Sequence, residues 1–311
     1  MTYTQTSRYT TDFLEKRSQL TPDRVALIEG LGGREVTFAE WNARVNRTAN
    51  YLRSLGVEKG DRVSVYASNC PEYMDLFWAA GKIGFVLHNL NWRLTVHELR
   101  QIIADAEPVV LLYSDDWSAQ VEELRPSFTT VRDVVAIGEA AAGDRSFAER
   151  DDFPAELGER PDLEMDDAWG IYYTGGTTGL PKGAILTHGN LEWTISAVES
   201  MVGLSPDDRL LSYLPLSHIA ERIVSHVGQI VSGGETWFAQ SLATVPEDLR
   251  ACRPTIFFAV PRVWQKFHDA MLDQIATKPR PVRSLIERYL QLGLASVKAG
   301  EGGPPLSPNQ Q

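Results

Sequence analysis

The twelve residues Tyr172-Tyr173-Thr174-Gly175-Gly176-Thr177-Thr178-Gly179-Leu180-Pro181-Lys182-Gly183 constrain this chain more than any other stretch. Trp169-Gly170-Ile171 before them and Ala184-Ile185-Leu186 after them read as two short apolar strands, so the block is a loop at the end of a buried strand. It holds four glycines, three threonines and one lysine. Glycine lets a backbone approach a ligand closely and turn its N–H groups inward. Threonine hydroxyls add donors, and lysine adds a compact charge. Together they suit a polyphosphate better than the plainer alternative, a surface turn between two strands. Two common phosphate-binding patterns do not fit. Pro181 precedes Lys182 and Gly183 follows it, where a Walker loop needs Gly-Lys then Ser or Thr, and no G-x-G-x-x-G opens a helix.

The rest of the chain reads as strands alternating with helices. Arg24–Ile28 is a strand, and Thr37 with Glu40 has capping-box spacing for a helix carrying Trp41, Val45, Ala49 and Leu52 on one face. Arg62–Tyr66 is a strand, and Pro71 opens a helix with Met74, Phe77, Trp78 and Ile83 as its apolar stripe. Thr95 with Glu98 opens another, and Pro108–Leu112 and Val134–Ile137 are strands. After the glycine-rich block, Thr187 caps a helix from about Asn190 to Val202. Arg209–Leu214, Glu235–Ala239 and Thr255–Val260 read as further strands. Thr244 with Glu247 caps a short helix, and Val263–Ile275 is amphipathic. This rhythm implies an α/β protein with parallel-type sheets covered by helices. His88 reads as a strand-edge residue and His188 as a surface residue at a helix entry.

Composition bounds the partners. A net charge of −11 over 311 residues argues against nucleic acid, since no basic excess exists to neutralise phosphates. Only two cysteines occur, Cys70 and Cys252, without metal spacing, as in a reducing compartment. The polar opening Met1–Ser7 is unlike a secretory signal, and no apolar run approaches a membrane span. The expected location is cytoplasmic, with at most peripheral contact with membranes.

The block resembles the signature of the acyl-adenylate-forming superfamily, Y-T-S-G-T-T-G-x-P-K-G, with Gly175 where serine is commonest. Leu214-Pro215-Leu216-Ser217-His218-Ile219-Ala220-Glu221-Arg222 and Arg253–Trp264 are most similar to long-chain acyl-CoA synthetases, and the resemblance runs from about Val25 to about Gln274. It implies two α/β lobes, as in the N-terminal domain of those enzymes. On this reading residues 1–51 pack with the second lobe. Residues 52–205 form the first lobe with the phosphate loop, 206–299 an incomplete second lobe, and 300–311 a disordered Gly/Pro/Ser/Gln tail. It implies ATP, Mg²⁺ and CoA as cofactors and a fatty acid as substrate, taken to acyl-adenylate and then to the thioester. Thr174, Gly175, Gly176, Thr177, Thr178, Gly179 and Lys182 would hold the phosphates. His218 would stand beside the carboxylate and the acyl tunnel, with Glu221 and Arg222 as a candidate ion pair behind it. Pro261, Arg262 and Trp264 resemble the acyl-pocket wall.

Several parts of the family pattern are missing. There is no Tyr-Gly-x-Thr-Glu block for adenine and Mg²⁺, and no Thr-Gly-Asp block for the ribose, so metal ligands are left unassigned. The expectation is an N-terminal portion of a ligase that does not turn over alone. Its alternatives are a non-catalytic nucleotide-binding or interaction fragment, and an adenylation domain for another carboxylic acid.

Overall fold

The computed structural model describes residues 10–30, 32–174 and 181–300. Eleven strands are formed among them: β1 (Val25–Ile28), β2 (Glu35–Thr37), β3 (Arg62–Tyr66), β4 (Val86–Asn89), β5 (Val110–Ser114), β6 (Asp133–Ile137), β7 (Arg145–Ser146), β8 (Ala168–Thr174), β9 (Lys182–Thr187), β10 (Arg209–Ser212) and β11 (Glu235–Phe238). They make two sheets. The larger has the order β7-β6-β5-β3-β4-β8-β9 and is parallel except for β9, which returns antiparallel to β8. The smaller has the order β10-β11-β1-β2, with β2 antiparallel on its edge. The N-terminal hairpin β1–β2 is therefore completed by strands some two hundred residues later in the chain. Each sheet is mixed, because the two hairpins add antiparallel edges to parallel cores that need helical crossovers.

Local chemistry sets the helix starts. Thr37 with Glu40, Thr95 with Glu98 and Thr187 with Asn190 each satisfy two orphan backbone donors reciprocally. The Pro71–Ile83 helix opens on proline and is buried nearly all round, including Asp75 and Lys82. Those charges are matched. Asp75 accepts from Arg44 at 3.0 Å, Arg150 at 2.7 Å and the Trp41 indole at 2.9 Å. Lys82 donates to Asp12 and Asn42. Without these partners buried charge would be costly. One apolar core runs from Leu14 through Trp41, Trp78 and Trp169 to Phe238, and a second cluster covers the opposite face of the larger sheet around Leu99, Ile102 and Leu111.

Three local expectations change. Thr255–Val260 does not form a strand, and only Ile256 makes a single bridge, to Leu210. Thr244 does precede the Val245–Cys252 helix, but its hydroxyl serves Ser241 and Asp248, not a capping bond. The helix read over Val263–Ile275 spans Pro261–Ala276, and a further helix, Arg280–Gly300, follows it. These two helices form a separate compact unit from Phe258 onward, and none of its described side chains is buried. The rest of the expected tail, 301–311, lies outside the described residues.

Candidate functional site

Strand alternation sorts β8. Gly170, Tyr172 and Thr174 share one face, and Ile171 and Tyr173 share the other. Thr174 ends the strand exposed, and directly opposite it in the antiparallel ladder stands Lys182, the first residue of β9, also exposed. A hydroxyl and an ammonium are thus held side by side at the two roots of the loop. Gly175, Gly176, Thr177, Thr178 and Gly179 lie outside the described residues. Gly183 shows why glycine follows the lysine. A Cβ there would meet Ile171 Cγ2 at 2.8 Å and the Tyr173 ring at 3.1 Å, which would push the two strands apart.

His218 lies at the N-cap of the helical stretch that starts at Ile219, on the exposed surface. Asn91 Nδ2 donates to its Nε2 over 3.4 Å. Partial burial, then the positive charge of Arg93, lowers its pKa from 6.5, so the imidazole is neutral near pH 7 and accepts that bond. The segment leading to it is clamped from both sides. Asn69, just after β3, donates to the Ser212 hydroxyl at 2.9 Å and the Leu214 carbonyl at 2.7 Å, and accepts from the Leu216 N–H at 3.0 Å. On the other side lies Glu221, whose carboxyl accepts from Ser225. Burial pushes that carboxyl up to about 7, while Ser225, Ser212 and the N–H groups of Leu214 and Tyr213 act the other way. Glu221 and Arg222 do not form the ion pair expected of them, because successive helical residues point in different directions. Arg222 instead donates to the Leu216 carbonyl and to Asn89.

Beside β8 lies a cavity of about 110 Å³. Its walls come from the Pro71–Ile83 helix (Phe77), from β8 and β9 (Trp169, Gly170, Tyr172, Leu186), from the His188–Met201 helix (Leu191) and from the stretch after His218 (Ile219, Arg222, Ile223, Val227). The β8–β9 ladder slips between Ala168 and Gly170, which brings both Trp169 and Gly170 to the cavity. Trp169 is fixed by a 2.9 Å bond from its indole N–H to the Phe77 carbonyl. His188 lies against it, with ring centroids 4.6 Å apart. His188 is thus buried, not a surface residue, and burial lowers its pKa to about 4. His88 is likewise in mid-sheet, bonded through Nδ1 to Ser64 at 2.7 Å, because β4 runs between β3 and β8. The helical stretch widens into a π-turn over Ile223–Gly228.

The structure thus sets the described roots of the β8–β9 loop, Thr174 and Lys182, at the end of a strand that also walls an apolar cavity. It sets His218 beyond the neighbouring strand end, over Asn91. Asn69 and Glu221 as main-chain or side-chain supports, and Arg222 as a cavity residue, were not anticipated. Pro261, Arg262 and Trp264 belong to the separate C-terminal unit, where Trp264 packs edge-on against Phe267. Among the described residues no group of three or more His, Cys, Asp or Glu side chains is arranged to hold a metal ion.

Comparison with known proteins gives a consistent answer. The AMP-binding enzyme profile matches residues 14–310. A feruloyl-CoA synthase from an Amycolatopsis species is 33% identical over 298 residues, 91% of this chain and 57% of that protein. The long-chain-fatty-acid–CoA ligase FadD13 of Mycobacterium tuberculosis is 34% identical over 212 residues, 67% of this chain and 40% of that protein. Among solved structures, the anthranilate CoA ligase AuaEII in complex with anthranoyl-AMP superposes with a TM-score of 0.77 at 25% identity, covering 83% of this chain and 51% of its own. The match spans 57% of the first of these curated relatives and 40% of the second.

Proposed function

Because the chain belongs to the AMP-binding enzyme family, we propose that it binds ATP at the β8–β9 loop and activates an apolar carboxylic acid seated in the adjoining cavity, for transfer to CoA. The observation that carries this reading is the single strand β8, which ends in Thr174 opposite Lys182 and walls the cavity with Gly170 and Tyr172. Attack of a carboxylate on the α-phosphorus builds negative charge on phosphoryl oxygens, and the leaving pyrophosphate carries more. Preorganised donors and cations lower that barrier. Thr174 and Lys182 supply one of each at the loop's roots. Mg²⁺ would add to the same charge neutralisation. Neutral His218, bonded to Asn91, would offer its remaining N–H to the substrate carboxylate.

The substrate we favour is a long-chain fatty acid, on the strength of Leu214–Arg222 and of the similarity to FadD13. A second reading, an aryl acid, is favoured by the cavity itself. Its walls bring together the rings of Phe77, Trp169 and Tyr172, against which an aromatic ring packs well. The similarity to feruloyl-CoA synthase points the same way. The protein acts in the cytoplasm, as its acidic charge and two unpaired cysteines support.

The test is thermal melting of the 311-residue chain with sulfamoyl-adenosine analogues of palmitoyl-, feruloyl- and leucyl-adenylate, alongside pyrophosphate release from ATP and Mg²⁺ with each free acid. Stabilisation by the palmitoyl or feruloyl analogue and not by the leucyl one is expected, and whichever shifts the melt more separates the two readings. Binding without pyrophosphate release would make the chain a nucleotide-binding module. No shift with any analogue would refute the acid-activating site.

A further inference from the structure

The end of the cavity farthest along β8 from the phosphate loop is closed by one side chain, and its neighbours hold it rigidly. Trp169 is 4% exposed. Its indole N–H is pinned to the Phe77 carbonyl at 2.9 Å. Its ring is wedged among those of Phe77, Trp78 and His188, with centroids 5.1, 5.8 and 4.6 Å away. On the Pro71–Ile83 helix, Phe77 faces the cavity, and Gly81 lies one turn further along the same side. A Cβ on Gly81 would come within 2.4 Å of one indole carbon and 2.5 Å of another. Glycine is a poor helix former, and here its missing side chain is what lets the indole rest against the helix backbone. The groove that begins at Phe77 thus continues over Gly81, and the indole fills it.

Strand geometry places that closure along the substrate. Thr174, Tyr172 and Gly170 share one face of β8, and the slip in the ladder brings Trp169 to the same side. From Thr174 to Trp169 the strand runs about 17 Å, at roughly 3.3 Å per residue. An extended alkyl chain advances about 1.3 Å per carbon, from a bond of about 1.5 Å at the tetrahedral angle. An acid whose carboxylate stands at phosphates held from Thr174 onward therefore carries about thirteen carbons or more before it meets the indole, the length of the long-chain acid favoured above. We propose that Trp169 is a specificity-determining residue: its indole is the floor of the acyl site and sets the longest chain the site accepts, and Gly81 sets where that floor stands. The inference rests on the acid-activating reading given above. An indole has roughly 150 Å² of surface or more, against about 30 Å² for a methylene, so the space it vacates takes about four further carbons. A Cβ at Gly81 acts the other way. The approach of 2.4 Å must open to an ordinary contact of 3.4 Å, which pushes the ring off the helix and into the cavity by the length of about one carbon.

The experiment is calorimetric titration of the 311-residue chain with sulfamoyl-adenosine analogues of saturated acyl-adenylates, at every chain length from hexanoyl to icosanoyl, for the wild type, Trp169→Ala and Gly81→Ala. Each methylene buried is expected to tighten binding about fourfold, and the quantity read is the chain length at which that gain stops. In Trp169→Ala the gain should stop about four carbons later than in the wild type, and in Gly81→Ala about one carbon earlier. A stop unmoved in Trp169→Ala overturns the inference, since the tail then leaves the cavity elsewhere, beside Ile219, which is 45% exposed. Should Trp169→Ala not fold, a stop that is unchanged or later in Gly81→Ala overturns it equally. A wild type that binds the analogues but gains nothing from added carbons overturns it while leaving acid activation standing. If no analogue binds the wild type, the acid-activating reading fails first and the inference fails with it.

Discussion

Replacing Glu221 by glutamine should change how stability depends on pH, with a sign and size that follow from its surroundings. The carboxyl is 2% exposed and has no cationic partner among the described residues, so burial raises its pKa from 4.5 to about 7 despite four hydrogen-bond donors around it. Folding therefore favours the neutral acid. Below about pH 4.5 both folded and unfolded chains hold the proton, and the fold has its full benefit. Between there and about pH 7 the unfolded chain loses the proton while the folded chain keeps it, so stability falls as pH rises. At about 1.36 kcal/mol for each pH unit, the loss amounts to about 3 kcal/mol. Glutamine has nearly the same shape and does not titrate. The stability of the wild type minus that of Glu221→Gln should thus fall by about 3 kcal/mol from about pH 4.5 to about pH 8. Urea unfolding followed by tryptophan fluorescence reads this difference. The slope isolates Glu221 even if glutamine shifts the absolute stability. His88, His188 and His226, whose pKa values are lowered by burial, contribute stability that is lost as pH falls below 6.5, and they do so equally in both proteins. A difference that stays constant across this range would refute the claim that burial governs this carboxyl.

Lys182→Ala should weaken ATP binding roughly tenfold to hundredfold by calorimetry, since one charge-assisted contact of about 1.5–3 kcal/mol is lost; unchanged affinity would remove Lys182 from the phosphate site. In an enzyme that completes both half-reactions, thioester formation from supplied acyl-adenylate should be nearly untouched by the same change. Asp75→Ala should destabilise the fold by about 3–5 kcal/mol in urea, because it leaves Arg150 and one branch of Arg44 buried without their carboxylate; a loss under about 1 kcal/mol would mean water or Glu72 takes its place. Gly81→Ala would put a Cβ 2.4 Å from the Trp169 ring, a rigid group pinned to Phe77. A net loss of about 1–3 kcal/mol is expected despite alanine's better helix propensity, together with weaker binding in the cavity, and a stabilised variant would show that Trp169 is free to move.

The sequence by itself determined what is local or periodic. Capping boxes at Thr37 and Thr95, the proline at the start of the Pro71–Ile83 helix and the alternation of strands with helices depend on neighbours a few residues apart, and each stands in the structure as read. The block Tyr172–Gly183 stood out because its four glycines and three threonines leave a compositional mark, one that phosphate recognition through backbone and small side chains would use. Tertiary structure decided what depends on who lies opposite. His88 and His188 became buried because β4 sits between two strands and Trp169 covers a helix entry, facts that no short window contains. Glu221 and Arg222, adjacent in sequence and opposite in charge, suggested an ion pair. One hundred degrees of helical rotation sends the first to Ser212 and Ser225 and the second to Asn89, from a strand more than a hundred residues away. The place of Arg222 in the cavity wall is a consequence of that packing. A pattern of residue types can announce a phosphate loop, but the environment of a buried charge is set only when distant strands come into register.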